Sequence, residues 1–174
     1  MSRFQLLVIA ICFLINMLDG FDVLVMAFTA HSISEEWALS GKSLGILFSS
    51  GLVGMAVGAM FLGRLADKYG RRALVILYLS IITAGMFMSA FTESLYQLSA
   101  VRVLTGTGIG GALATVNIIT AEYSNDKRRG LAISLIQIGY PIGGIIGGAI
   151  AGILIPDTGW RSIFIFGAAL SAIM

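Results

Sequence analysis

Two carboxylates stand in a stretch of sequence that should carry none. Asp19 and Asp22 interrupt an otherwise apolar run from Phe4 to Phe28. A charged side chain near the centre of a bilayer costs about 2.5–3.5 kcal/mol on insertion scales, so acids inside such a run point to a use for them. Three residues apart on a helix, they lie roughly 60° from each other on one face. Asn16 extends the same stripe. Two acids this close in a poorly hydrated site cannot both stay ionised. The chemistry that follows is reversible proton binding, with a carboxyl loading on one side of a membrane and unloading on the other. The alternative is a site near the outer end of the helix, where water or backbone groups meet the charges. Counted from Phe4, Asp19 lies about 22 Å along the helix, past its middle.

Arg102 is the third charge inside an apolar run. Its neighbours in sequence are apolar, so a partner must come from another helix, and Asp19 or Asp22 is the candidate. Otherwise Arg102 snorkels to the outer surface from the start of its helix. Gln137 and Tyr140 share one face of a later apolar run and either line a path for cargo or bridge helices. His31, the single histidine, reads as a plain loop residue, and Cys12 is the single cysteine. These leave no disulfide framework and no thiolate, zinc or haem site, and no cofactor is expected. Gly106, Gly108 and Gly111 satisfy G-x-G-x-x-G, but that pattern signals a dinucleotide only between a strand and a helix. Inside an apolar helix it signals neither a nucleotide nor a nucleic-acid partner.

The elements that must hold these residues are membrane spans. Only 11% of the 174 residues are charged, 57% are hydrophobic, and the mean hydropathy is +0.95. A soluble domain carries about 25% charged residues, so this surface faces lipid. A span needs roughly 20 apolar residues. Segments of that kind cover about 4–28, 44–63, 73–92, 98–121 and 131–155, and a sixth, 162–174, is cut short. The third, whose polar features are Ser80, Thr83 and Ser89, reads as an outer, lipid-facing scaffold. Arg3 before an apolar stretch imitates a signal peptide, but the pattern runs on past Asp22 and further spans follow. Arg3, Arg64, Lys68, Arg71, Arg72, Lys127, Arg128 and Arg129 fall on one side, against Lys42 and Arg161 on the other. That bias places the N-terminus in the cytoplasm, with His31 to Lys42 as the long external loop.

Glycines recur every fourth residue: Gly54 and Gly58, Gly106 and Gly110 with Ala114, Gly139–Gly143–Gly147, and Gly144–Gly148–Gly152. Such stripes let helix backbones approach closely in lipid. A weak repeat links Gly63–Arg72 to Pro156–Arg161: each has an aspartate, a glycine and an arginine after a glycine-striped helix. Helix count sets them on opposite sides, as an inverted repeat of three-helix units requires.

The segment Gly63-Arg-Leu-Ala-Asp67-Lys68-Tyr-Gly70-Arg71-Arg72 is the most specific. Gly70 allows a tight turn, and Asp67, one acid among bases, can pair with Arg71 one helical turn away or with Arg128 or Arg129. The segment resembles the G-x-x-x-D-[RK]-x-G-[RK]-[RK] signature between the second and third helices of the major facilitator superfamily. Arg102 with its glycines, Gly139-Tyr-Pro141-Ile-Gly143-Gly144 and Gly159-Trp160-Arg161 are similar to further motifs of that superfamily. Leu18-Asp19-Gly20-Phe21-Asp22, and Glu122-Tyr123 followed by Arg128-Arg129-Gly130, resemble the aromatic acid:proton symporter family. The resemblance implies an all-α membrane protein, here the N-terminal six-helix bundle truncated within its sixth helix, lacking a second six-helix half. It further implies Asp19 and Asp22 as transport-essential acids, and an aromatic or related organic acid taken up with protons by alternating access across the cell membrane. A carrier of a sugar or other metabolite, a drug:proton antiporter (left open by the Pro141 motif) and a membrane sensor or assembly protein without transport are the alternatives. Nothing in the sequence resembles an enzyme active site.

Overall fold

The computed structural model describes residues 3–174, with the side chains of Arg64, Ala66 and Asp67 excepted. Helix α1 runs Arg3–Trp37. Helix α2 (Gly41–Val57) passes through a π-helical turn, Gly58–Leu62, into α3 (Gly63–Tyr69). Then come α4 (Arg71–Ser89), α5 (Leu95–Tyr123), a 3-10 turn at Asp126–Arg128, α6 (Arg129–Thr158) and α7 (Arg161–Ile173). Five of these rods are long and apolar enough to cross a membrane, while α7 spans only 13 residues. Each expected span therefore falls on a helix.

The first helix differs from its expected extent. It continues nine residues past Phe28 to Trp37, so His31 is helical and the expected loop from His31 to Lys42 shrinks to a few residues around Ala38. At 35 residues α1 is about 52 Å long, well beyond the roughly 30 Å hydrocarbon layer. Its last turns leave the lipid and can carry polar residues without breaking. His31 sits 3.4 Å from Glu35 one turn on. Trp160 and Arg161 of the α6–α7 corner hold Glu36 at 2.6 and 2.8 Å. The chain then reverses at Ala38, with φ 49, and Ser40 caps α2 by accepting a bond from the Ser43 amide.

The glycine stripes are where the helices meet. On the α2–α5 contact, a Cβ at Gly54 or Gly58 would land on the Val103 or Thr107 carbonyl, and one at Gly106 or Gly110 on the Gly51 or Met55 carbonyl. The α1–α6 contact has the same form: Gly139 and Gly143 face the Phe13 and Met17 carbonyls, and Gly20 faces that of Tyr140. Gly108 and Gly111, the other members of the nucleotide-like pattern, pack on Tyr78 of α4. One expected stripe is incomplete, since a Cβ at Gly152 would meet nothing within 4 Å.

The repeat read in the sequence has a structural counterpart. Gly70 and Gly159 are the positive-φ glycines among the described residues, at 85° and 79°. Each turns one long helix into the next. Arg71, just after the first, pairs with Glu122 at the end of α5; Arg161, just after the second, pairs with Glu36 at the end of α1.

Candidate functional site

Asn16, Asp19 and Asp22 all face inward and are at most 2% exposed. The helix partners come from both sides. Arg102, 4% exposed, donates from Nη1 to Asp22 Oδ1 at 3.1 Å. Its Nη2 donates to Ser89 Oγ at 3.1 Å and lies 3.3 Å from Met86 Sδ, and the guanidinium stacks 5.0 Å over the Phe164 ring. The choice left open by the sequence is thus decided: Arg102 is buried, does not reach the surface, and its carboxylate is Asp22. Ser89 spends its own hydrogen on the Gly85 carbonyl, which leaves its oxygen free to accept from Arg102.

Asp19 has no cation paired with it among the described residues, and its Oδ2 finds no hydrogen-bond partner. Two buried carboxylates thus share a single guanidinium. The surplus negative charge costs several kcal/mol in an apolar interior, and one proton removes it. That imbalance is the chemical capacity of the site.

One turn toward the N-terminus, the polar stripe becomes a chain of amides. Asn16 Nδ2 donates to the Ile136 carbonyl and lies 3.4 Å from Gln137 Oε1. Gln137 Nε2 lies 3.4 Å from Asn117 Oδ1, and Asn117 Nδ2 donates to the Leu113 carbonyl at 2.8 Å. Gln137 therefore bridges α1, α6 and α5 while its side chain stays exposed. Tyr140 is half-buried, and its backbone carbonyl packs closely against Gly20, beside Asp19. Pro141 leaves the Gln137 carbonyl without its helical partner, which keeps α6 polar at this level.

Four contributors to the site, Met86, Ser89, Phe164 and Asn117, escaped the sequence reading. The third predicted span is not merely an outer scaffold: Met86 and Ser89 of α4 reach Arg102, and Thr83 donates to Ser171 of α7 at 2.8 Å. Ser89 carried a faint signal, a hydroxyl in an apolar helix. Phe164 and Met86 carried none, because apolar residues in a span look alike. Asn117 was legible as a polar residue in a span and was passed over.

At the opposite end, the α3–α4 turn holds the loop motif. Gly63 packs on Ala114, Lys68 lies 5.3 Å from the Tyr69 ring centre, and Gly70 makes the turn into Arg71 and Arg72. The expected partner of Arg71, Asp67, lies outside the described side chains; Glu122 of α5 is the partner seen. Arg129 pairs with Asp126 at 2.8 Å.

The profile described as Major Facilitator Superfamily matches residues 9–174. The gallate transporter of Pseudomonas putida is 36% identical over 169 residues, covering 97% of this chain and 38% of that protein. The 4-hydroxybenzoate transporter PcaK of Pseudomonas aeruginosa is 34% identical over 176 residues, covering 100% of this chain and 39% of that protein. The chain thus spans under two-fifths of the length of these relatives. Among solved structures, the proton:xylose symporter XylE superposes with a TM-score of 0.89 at 19% identity, over 99% of this chain and 43% of that one, a likeness of fold alone. A glycine-striped bundle with a buried Asp22–Arg102 pair, the Gly63–Arg72 turn and a profile match over nearly its whole length place this chain in the major facilitator superfamily.

Proposed function

We propose that this chain is one half of a carrier that takes up an aromatic or related organic acid together with protons, by alternating access across the cytoplasmic membrane. Asp19 and Asp22 bind the proton, and a second six-helix bundle completes the cargo path from the other side. The N-terminus and the Gly63–Arg72 turn face the cytoplasm, as the eight basic residues on that side require.

The observation that carries this reading is the charge count at the site: two carboxylates, at most 1% exposed, with one guanidinium. Ionised, the pair repels an anion; with a proton added, the repulsion is gone. Proton and anion are then favoured together, which is the sign that symport requires. The gallate and 4-hydroxybenzoate transporters among the relatives support an aromatic acid as cargo.

The test is uptake by the full-length protein in proteoliposomes, with 4-hydroxybenzoate, benzoate and a neutral sugar offered with and without an imposed inward proton gradient. Accumulation of the acids, driven by the gradient, is expected. Saturable uptake of the sugar alone would remove the aromatic-acid assignment.

A further inference from the structure

The small residues of the second span that meet α5 do not keep one spacing. Gly54 and Gly58 stand four apart, and the next, Gly63, comes five later. On an α-helix a step of five lands about 100° beyond a step of four. An unbroken helix would therefore turn Leu62, and not Gly63, toward α5. The π-helical turn at Gly58–Leu62 absorbs the extra residue, with the Gly63 amide bonded to the Gly58 carbonyl five residues back. Gly54 and Gly58 lie on the Val103 and Thr107 carbonyls, and a Cβ at Gly63 would stand 3.4 Å from that of Ala114. One row of small residues thus continues along α5 past the turn. Such π-turns are rare, and many of them sit at functional sites.

A side chain of α4 braces this turn. The Tyr78 hydroxyl donates to the carbonyl of Leu62, the last residue of the π-turn, at 2.7 Å. Tyr78 is fully buried, and its ring occupies the space that a Cβ at Gly111 would need. Leu62, Leu74 and Ala112 close around it. A buried phenol is tolerated where its hydrogen finds an acceptor. Here the acceptor is the backbone at which the register of the span changes.

We infer that Tyr78 is a positioning residue: its hydroxyl selects the five-residue register at Gly58–Leu62, and that register aims the Gly63–Arg72 turn at α5. In the α register everything after Leu62 would be rotated by about 100°, with the Leu62 side chain against Ala114. In the register seen, Gly70 carries the chain round at φ 85 and Arg71 reaches Glu122 at the end of α5. The joint therefore runs from α4 through the π-turn to that ion pair. Its consequence for transport rests on the proposed uptake of an aromatic acid: the joint holds one end of the bundle, away from the buried acids, so its loss slows turnover without weakening cargo binding.

Disulfide trapping reads the register without reference to cargo. The Cβ atoms of a disulfide stand about 3.5–4.5 Å apart, close to the 3.4 Å between Gly63 and Ala114. In the full-length protein carrying Cys12→Ser, Gly63→Cys with Ala114→Cys should oxidise readily, and Leu62→Cys with Ala114→Cys slowly. Tyr78→Phe keeps the ring and removes the donor, so the ratio of the first yield to the second should fall by about fivefold, the weight of one hydrogen bond. Deleting the exposed Met60 leaves Gly58 and Gly63 four apart, as an α-turn requires. The Gly63–Ala114 link should survive that deletion, and Tyr78→Phe should no longer alter it. An unchanged ratio in Tyr78→Phe overturns the inference, and so does loss of the Gly63–Ala114 link on deletion of Met60, by misfolding or otherwise. For transport, Tyr78→Phe should lower the maximal rate of 4-hydroxybenzoate uptake about fivefold, with the half-saturating concentration within about twofold. A wild-type maximal rate, or a loss confined to half-saturation, overturns the role in turnover. A wild type that traps as expected but takes up no aromatic acid overturns the proposed function instead.

Discussion

Arg102 touches Asp22, Ser89, Met86 and Phe164, and only the first of these carries charge. The pair is therefore a local neutral unit inside lipid-facing helices, and its two halves are not separable without cost. Removing one member of a buried ion pair costs about 3–5 kcal/mol, because the other is left charged, whereas removing both is often neutral. Arg102→Met should accordingly lower the thermal midpoint of the detergent-purified protein far more than the double change Asp22→Asn with Arg102→Met. A double variant as unstable as Arg102→Met alone would mean that packing against Phe164 and Met86, and not charge, sets the stability of this region. Asp19 differs in kind: it has no counter-ion among the described residues, so its negative charge is the one a proton relieves.

The helices are held by glycine contacts that repeat in inverted order. In α2–α5, glycines of one helix meet the carbonyls of the other at Val103 and Thr107; in α1–α6 they meet those at Phe13 and Met17. A methyl group at Gly143 would strike the Met17 carbonyl, while one at Gly152 would meet nothing within 4 Å. Overpacking of this sort costs roughly 1–3 kcal/mol. Gly143→Ala should therefore reduce the monodisperse, detergent-soluble yield and the thermal midpoint, and Gly152→Ala should leave both unchanged. Equal effects at the two sites would show that the stripe is not the contact. These stripes could be read from the sequence because small residues four apart have few other uses in lipid. The end of α1 could not: His31, Glu35 and Glu36 look like loop, and Trp160 and Arg161, which hold Glu36, lie more than a hundred residues away. The part played by α4 was hidden for a similar reason, since a lone Ser89 does not announce the arginine it faces.

Seen whole, the chain holds two three-helix units that mirror one another. A positive-φ glycine followed by an arginine joins the second and third spans of each unit, the arginines clasp Glu122 and Glu36 at opposite ends, and the polar residues lie between. The sequence disclosed the charged residues and the helices that bear them. It did not disclose which aspartate belongs to Arg102, because that depends on how α1 and α5 cross. In the proposed function, Asp19 and Asp22 couple cargo to protons. The most direct test is accumulation of labelled 4-hydroxybenzoate in proteoliposomes under an inward proton gradient, comparing the full-length wild type with the double variant Asp19→Asn, Asp22→Asn. The wild type should concentrate the acid several-fold above the outside level, and the double variant should not exceed it. Accumulation by the double variant to the wild-type level would contradict the claim.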